Sequence, residues 1–182
     1  MKKTTKGALA AAAAGFLLLG GAGTIAYWSD SSTISGGTVN TGNLALSDAA
    51  CSENWLYAPG NSGAGDPVSL LVPGDAITKE CTFTVSATGD NLTATLNTPD
   101  SALITAEGTD TFEASVAATY NLAGSPVTED TPITDANDGQ TLTATVTVTF
   151  PFGDEAAVNA NDTQNVTASL NDIAVTLVQT ES

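Results

Sequence analysis

From Leu142 to Phe150 the chain reads Leu-Thr-Ala-Thr-Val-Thr-Val-Thr-Phe, with an apolar residue at every even position and threonine at every odd one. A helix would scatter those apolar side chains around its circumference, whereas a strand puts all of them on one side. The pattern therefore dictates a β-strand with one face buried and the other in water. It recurs along the chain. Ile77, Cys81, Phe83, Val85 and Ala87 share one parity and Thr78, Glu80, Thr82, Thr84 and Ser86 the other, with only Lys79 interrupting the apolar set. Leu92, Ala94 and Leu96 repeat it, as do Phe112, Ala114, Val116, Ala118 and Tyr120. Near the end, Val166, Ala168 and Leu170 fall on even numbers but Ile173, Val175 and Leu177 on odd ones, which predicts a bulge or a tight break at Asn171-Asp172.

Between these runs lie turn residues: Ala58-Pro59-Gly60-Asn61, Pro73-Gly74-Asp75, Thr88-Gly89-Asp90-Asn91, Gly124-Ser125-Pro126 and Asn137-Asp138-Gly139. Each supplies a residue that pre-sets φ or tolerates a positive one. About seven or eight short strands with such punctuation predict an all-β fold, an antiparallel two-sheet β-sandwich. One short crossover helix is expected at Asp154 to Asn159, where acidic residues in the first turn suit the helix dipole. Periodicity alone leaves jelly-roll and immunoglobulin-like topologies both open.

The sandwich pattern does not begin at once. Lys2, Lys3 and Lys6 precede an unbroken run of small and apolar residues from Gly7 to Ala26, the order of an export signal. Small residues are preferred just before the cut, so cleavage is expected after Ala26, with Tyr27 as the neighbouring alternative. That divides the chain into a leader (1–26), an N-terminal segment (27–41) and one sandwich domain (42–182). No later apolar run approaches the roughly 20 residues of a membrane helix, and the last residues carry no apolar tail, so removal of the leader is expected to release the protein.

The junction also carries a resemblance. Gly23-Thr24-Ile25-Ala26, Trp28-Ser29-Asp30, Gly37-Thr38, Gly42 and Leu44-x-Leu46, with a second block at Leu71-Val72-Pro73-Gly74-Asp75-x-x-Thr78-Lys79, resemble the N-terminal pattern of TasA/camelysin-like proteins. These are secreted proteins processed by a SipW-type signal peptidase. The resemblance implies the jelly-roll form of sandwich, the dedicated peptidase as a partner, and a subunit of biofilm matrix fibres. Some relatives carry a protease label.

Export bears on the two cysteines. Cys51 and Cys81 both follow the leader, and an even count in an oxidising compartment predicts a disulfide between them, with free thiols as the alternative. Trp55, four residues beyond Cys51, is expected to cover the bridge or fill one end of the core; an exposed Trp55-Tyr57 binding patch is the other reading. Past the leader, Lys79 alone stands against 20 acidic residues, a formal charge of −19. Nucleic acid and anionic lipid would be repelled, so contact with a membrane is expected only through an uncut leader.

The catalytic inventory is thin. The chain has no histidine, which removes the usual general base, the commonest transition-metal ligand and any zinc-protease helix. A serine nucleophile would have to use Lys79, whose place in a strand beside Cys81 points to a structural role. Carboxylate pairs could serve a hydrolase, yet none is singled out by its surroundings. Asp135-Ala-Asn137-Asp138-Gly139 faintly resembles a calcium loop but lacks the full spacing and distal Glu, so a turn is the simpler reading for Asp135, Asn137 and Asp138. Asn91, Asn161 and Asn165 head glycosylation-type triplets, which turn and strand roles also explain. No catalytic residue and no cofactor is expected.

Residues Tyr27, Trp28, Ile34 and Val39 are strand-compatible, yet Gly36-Gly37 separates most of them from the sandwich. An aromatic pair at a free terminus needs somewhere to dock. The segment is expected to pair with the sheet edge of a neighbouring copy and so build filaments; an ordinary edge strand or a disordered tail is the plainer reading. The functional expectation is a secreted, non-enzymatic fibre subunit, with a monomeric adhesin or binding module as the alternative and a carboxylate hydrolase as a third class.

Overall fold

The computed structural model describes residues 29–106, 112–152 and 167–181. The leader, its cleavage point, Tyr27 and Trp28, and the helix expected at Asp154 to Asn159 lie outside these residues. The chain divides into two compact units, Met1–Val39 and Asn40–Ser182. In the first, residues 29–39 form no strand and are exposed throughout.

The second unit is an antiparallel two-sheet β-sandwich. Its strands are β1 (Asn43–Leu46), β2 (Ala50–Cys51), β3 (Leu56–Tyr57), β4 (Ala76–Thr88), β5 (Thr93–Asn97) and β6 (Ser101–Ala106). They continue as β7 (Phe112–Leu122), β8 (Ser125–Val127), β9 (Ile133–Thr134), β10 (Thr141–Thr149), β11 (Ala168–Leu170) and β12 (Thr176–Gln179). Nine strands make one sheet along the path β1-β4-β10-β7-β6-β11, with β2 and β3 following β1 along the edge of β4 and β8 on β7. The other sheet is β12-β5-β9. Among the described residues the one helical element is a 3₁₀ turn, Asp135–Asn137, and no helix is long and apolar enough to cross a membrane.

The long alternating runs form the centre. β10 lies between β4 and β7, with Leu142 opposite Phe83 on one side and Leu122 on the other. Period-two geometry then sends Leu142, Ala144, Val146 and Val148 inward, and all four are buried. The interior has two apolar clusters. One gathers Val85, Leu96, Ile133 and Leu142, and the strands of the smaller sheet help to close it. The other gathers Ile77, Ile104, Val116 and Val148, with Trp55, Tyr57 and Val68 from the β2–β4 excursion packed against it. Alanines recur at buried positions (Ala87, Ala94, Ala102, Ala114, Ala144), so the core holds less apolar surface per residue than a leucine-filled one.

The parity change at Asn171-Asp172 has a specific meaning. β11 pairs with β6 in the large sheet, while β12 pairs with β5 in the small one. The chain crosses between sheets here, and residues 171–175 belong to no strand. Facing sheets have opposite inward directions, so a shift of one position keeps Leu170, Ile173, Val175 and Leu177 turned toward the interior.

β7 and β8 meet at a two-residue turn, since Leu122 pairs with Ser125. Ala123 has φ 49 and Gly124 φ 87, the combination a type I′ hairpin turn demands. Ala123 is the one non-glycine among the described residues with positive φ, where its Cβ is strained. Ala123→Asn, which creates the preferred Asn-Gly pair, is expected to raise stability by roughly 0.5 to 1 kcal/mol, read as a shift of the thermal midpoint.

Candidate functional site

The residues singled out from sequence do not converge on one centre. Three local arrangements and one free segment account for those that are described.

The first arrangement surrounds the disulfide. β2 runs beside β4 with Cys51 directly opposite Cys81, and the two are bonded, their Cα atoms 3.9 Å apart. Ser52 N–H donates to the Glu80 carbonyl at 2.8 Å, so Cys51 and Cys81 occupy a non-hydrogen-bonded pair, where opposing residues come closest. Two positions along β4, the Lys79 ammonium sits 5.7 Å from the centroid of the Trp55 ring. A strongly hydrated cation on an otherwise inward parity thus meets an aromatic face, worth about 0.5 to 1 kcal/mol at a partly open site. Trp55 is half-buried against the second apolar cluster, and Lys79 has a structural partner.

Beyond Trp55 the chain makes a long excursion before returning as β4. Its backbone is tied at Val68 N–H to the Trp55 carbonyl (3.0 Å) and at Tyr57 N–H to the Asp66 carbonyl (3.0 Å). The Tyr57 hydroxyl donates to the Leu70 carbonyl and accepts from the Leu70 N–H at 3.2 Å. The bond to Leu70, followed by one from Ser69, holds the Tyr57 phenol below its ordinary pKa. Asp75 accepts from the Val72 N–H at 3.0 Å and from the Asn61 amide at 3.3 Å. Leu70 and Val72 on this excursion and Phe152 beyond β10 are exposed (81%, 58% and 78%), apolar side chains that period-two reasoning does not register because they lie on loops.

The second arrangement is the Asp135–Asp138 turn. Asn137 Oδ1 accepts from the Thr134 N–H at 2.9 Å, and its amide donates to Gln140 Oε1 at 3.2 Å. Asp138 Oδ1 accepts from the Ala87 N–H at 2.9 Å, tying the turn to β4. Asp135 is exposed. Asn137 Oδ1 and Asp138 Oδ1, two of the oxygens a cation would need, are engaged by the chain, and no group of three or more Cys, Asp or Glu side chains among the described residues is arranged to hold a metal.

The third arrangement is a buried polar knot that sequence reading missed. Tyr120 on β7 is 5% exposed, and its hydroxyl donates to Glu129 Oε1 at 3.0 Å while also bonding the Thr98 hydroxyl. Thr98 N–H donates to the same Glu129 oxygen at 3.1 Å, and Leu96 N–H donates to the Glu129 carbonyl at 3.2 Å. Burial is the largest cause that pushes the Tyr120 phenol up to about 12; the Thr98 bond pulls it down, and Glu129 adds to the rise. The knot joins the β8–β9 loop to the end of β5. Only Tyr120 at an inward parity hinted at it, because a buried tyrosine needs a partner for its hydroxyl.

The free segment holds Ile34 and Val39, 93% and 86% exposed. Asn91 is exposed on the turn between β4 and β5; Asn161 and Asn165 lie outside the described residues. No protein-family model, curated protein or solved structure matches this chain.

Proposed function

We propose that this chain is a secreted, non-enzymatic structural protein, a TasA-like subunit of a biofilm matrix or surface fibre that assembles through residues 27–41. The observation that carries this reading is the exposed, unpaired stretch 29–39, with Ile34 and Val39 open to solvent, running in sequence into β1. β1 is the edge strand of the large sheet, paired on one side to β4. An open edge invites an added strand, and a segment joined through Gly36-Gly37 reaches a neighbour with little restriction. Donation from one copy to the next repeats without closing and so grows a filament. The leader supports the same reading: a SipW-type peptidase would free Tyr27 outside the cell, whereas an uncut leader would hold it at the membrane. A disulfide-bonded small β domain is compatible with an extracellular location.

Deleting Tyr27 to Ser35 from the secreted protein tests this directly. The truncated chain is expected to stay folded and bridged, and to lose filaments in negative-stain images. Polymerisation equal to that of the full chain would overturn strand donation. The exposed apolar side chains of Leu70, Val72 and Phe152 favour a second reading, a monomeric adhesin or binding module, for which a monomeric full-length chain is the expected result.

A further inference from the structure

Several carboxylates of the domain are tied to the chain: Asp75 to Val72 and Asn61, Asp138 to Ala87, and Glu129 to Thr98 and Tyr120. Asp66 is different. It is exposed, and no described residue hydrogen-bonds its carboxylate. It lies on the excursion between β3 and β4 and precedes Pro67, making the one Asp-Pro bond in the sequence.

The backbone around that bond is held from one side. Gly65 N–H donates to the Tyr57 carbonyl at 2.9 Å, and Tyr57 N–H donates to the Asp66 carbonyl at 3.0 Å. Two residues thus oppose one, with Gly65 at φ 88, the form of β-bulge that begins on a glycine. Asp66 N–H closes the turn before it on the Gly63 carbonyl at 2.9 Å. The carboxylate lies beside Gly63, its Oδ2 3.5 Å from where a Cβ on that glycine would stand. Leu56 and Pro67 then form an antiparallel bridge, flanked by the Tyr57–Asp66 bond and by Val68 N–H to the Trp55 carbonyl at 3.0 Å. In such a pair the nitrogen lies on the side away from the partner strand, which is where a proline is tolerated. Pro67 is exposed, so that side meets water.

Three requirements for breaking the Asp66-Pro67 bond meet here. A free carboxylate belongs to the same residue as the carbonyl carbon, so attack is intramolecular. The carbonyl oxygen already accepts the Tyr57 N–H, which can bear the negative charge that develops when the carbon is attacked. The leaving nitrogen is open to solvent and departs as a secondary amine that water can protonate. Other titratable groups nearby are turned elsewhere: the Tyr57 hydroxyl to Leu70, Asp75 to Val72 and Asn61, and Lys79 to Trp55.

We propose that Asp66-Pro67 is a self-scission site, cut once in the folded chain by the Asp66 carboxylate. A carboxylate oxygen adds to the Asp66 carbonyl carbon, and the C–N electron pair leaves on the Pro67 nitrogen, which takes a proton from solvent. The Asp66 side now carries a cyclic anhydride. Water opens it, restoring the side-chain carboxyl and leaving a new α-carboxyl, so one water is consumed and no other reactant enters. The cut falls between Cys51 and Cys81, and the bridge keeps the two pieces joined. β1, β2 and β3 stay paired to β4 across the nick. The result is a two-chain domain, in which later reduction of the bridge removes the last covalent link to the portion ending at Asp66. None of this depends on fibre formation.

Incubation of the full secreted chain in mildly acidic buffer tests it, beside a sample unfolded in urea. The folded chain should run as one band without reductant and as two with it. The two masses should sum to the parent plus one water, and the second piece should begin at Pro67. Its rate should equal or exceed that of the unfolded chain. Asp66→Glu enlarges the ring that must close, and Pro67→Ala replaces the leaving amine. Each should slow scission about tenfold or more, with circular dichroism and the bridge unchanged. A folded chain that stays whole or is cut more slowly than the unfolded one would overturn the proposal, as would either variant cut as fast as the wild type.

Discussion

Replacing Cys51 and Cys81 by serine should lower the stability of the domain by roughly 3 to 4 kcal/mol, the chain freedom restored by opening a loop of this length. The bridge spans a sequence separation of 30, and the strands it helps to hold, β2 and β3, are two residues each. Their few ladder bonds do not hold the excursion against that freedom, and the alanine-rich core has little surplus to offset it. The thermal midpoint should fall on the order of 10 °C. Far-ultraviolet circular dichroism should still report a β-sheet, because β4, β10 and β7 pair over eight or nine residues without help from the bridge. Cys51 is exposed, so a dithiol reductant should reproduce the double variant in the wild-type chain. A loss below about 1 kcal/mol would show that the excursion is held by Tyr57, Trp55 and Asp75 and not by the bridge.

What was legible in advance follows from the range of the interactions. Alternation is local, so β4, β5, β7 and β10 and their inward residues could be read from the string of amino acids. The two cysteines were legible as a pair because an even count after an export-like leader predicts a bridge. Their placement directly across two neighbouring strands was not, since that depends on how β2 returns along β4. β6 was overlooked because Leu103 faces outward and blurs the alternation of Ser101–Ala106. β2, β3 and β9 are two residues long, too short for any period to show. The break at Asn171-Asp172 was visible as a change of parity, but a crossing between sheets is a fact about partners 66 and 81 positions away, Ile104 for Leu170 and Leu96 for Leu177. The Tyr120–Thr98–Glu129 knot is the clearest limit: three polar residues that look unremarkable in sequence meet only because β5 and β7 are packed across the interior.

That knot leads to an alkaline prediction. Tyr120 ionises at about 12 in the folded chain against about 10 when unfolded. Below pH 10 the phenol is protonated in both states, and its contribution is complete. Between pH 10 and 12 the unfolded chain releases the proton while the folded chain keeps it, so folding stability falls as pH rises through this window and levels off above it. Two pKa units correspond to roughly 2 to 3 kcal/mol, a large part of the stability of a domain this size. Tyr57 acts in the opposite sense, because its hydrogen bonds to Leu70 and Ser69 lower its pKa in the folded state. The comparison must therefore be made between the wild type and Tyr120→Phe, in which Tyr57 is unchanged. At pH 8 the variant should be less stable by about 1 to 2 kcal/mol, because the buried Thr98 hydroxyl loses a partner. Moving from pH 8 to pH 12, urea midpoints should fall more steeply for the wild type, and the gap between the proteins should close or reverse. Parallel pH curves for the two would mean that the rise from burial and Glu129 is offset by the Thr98 bond.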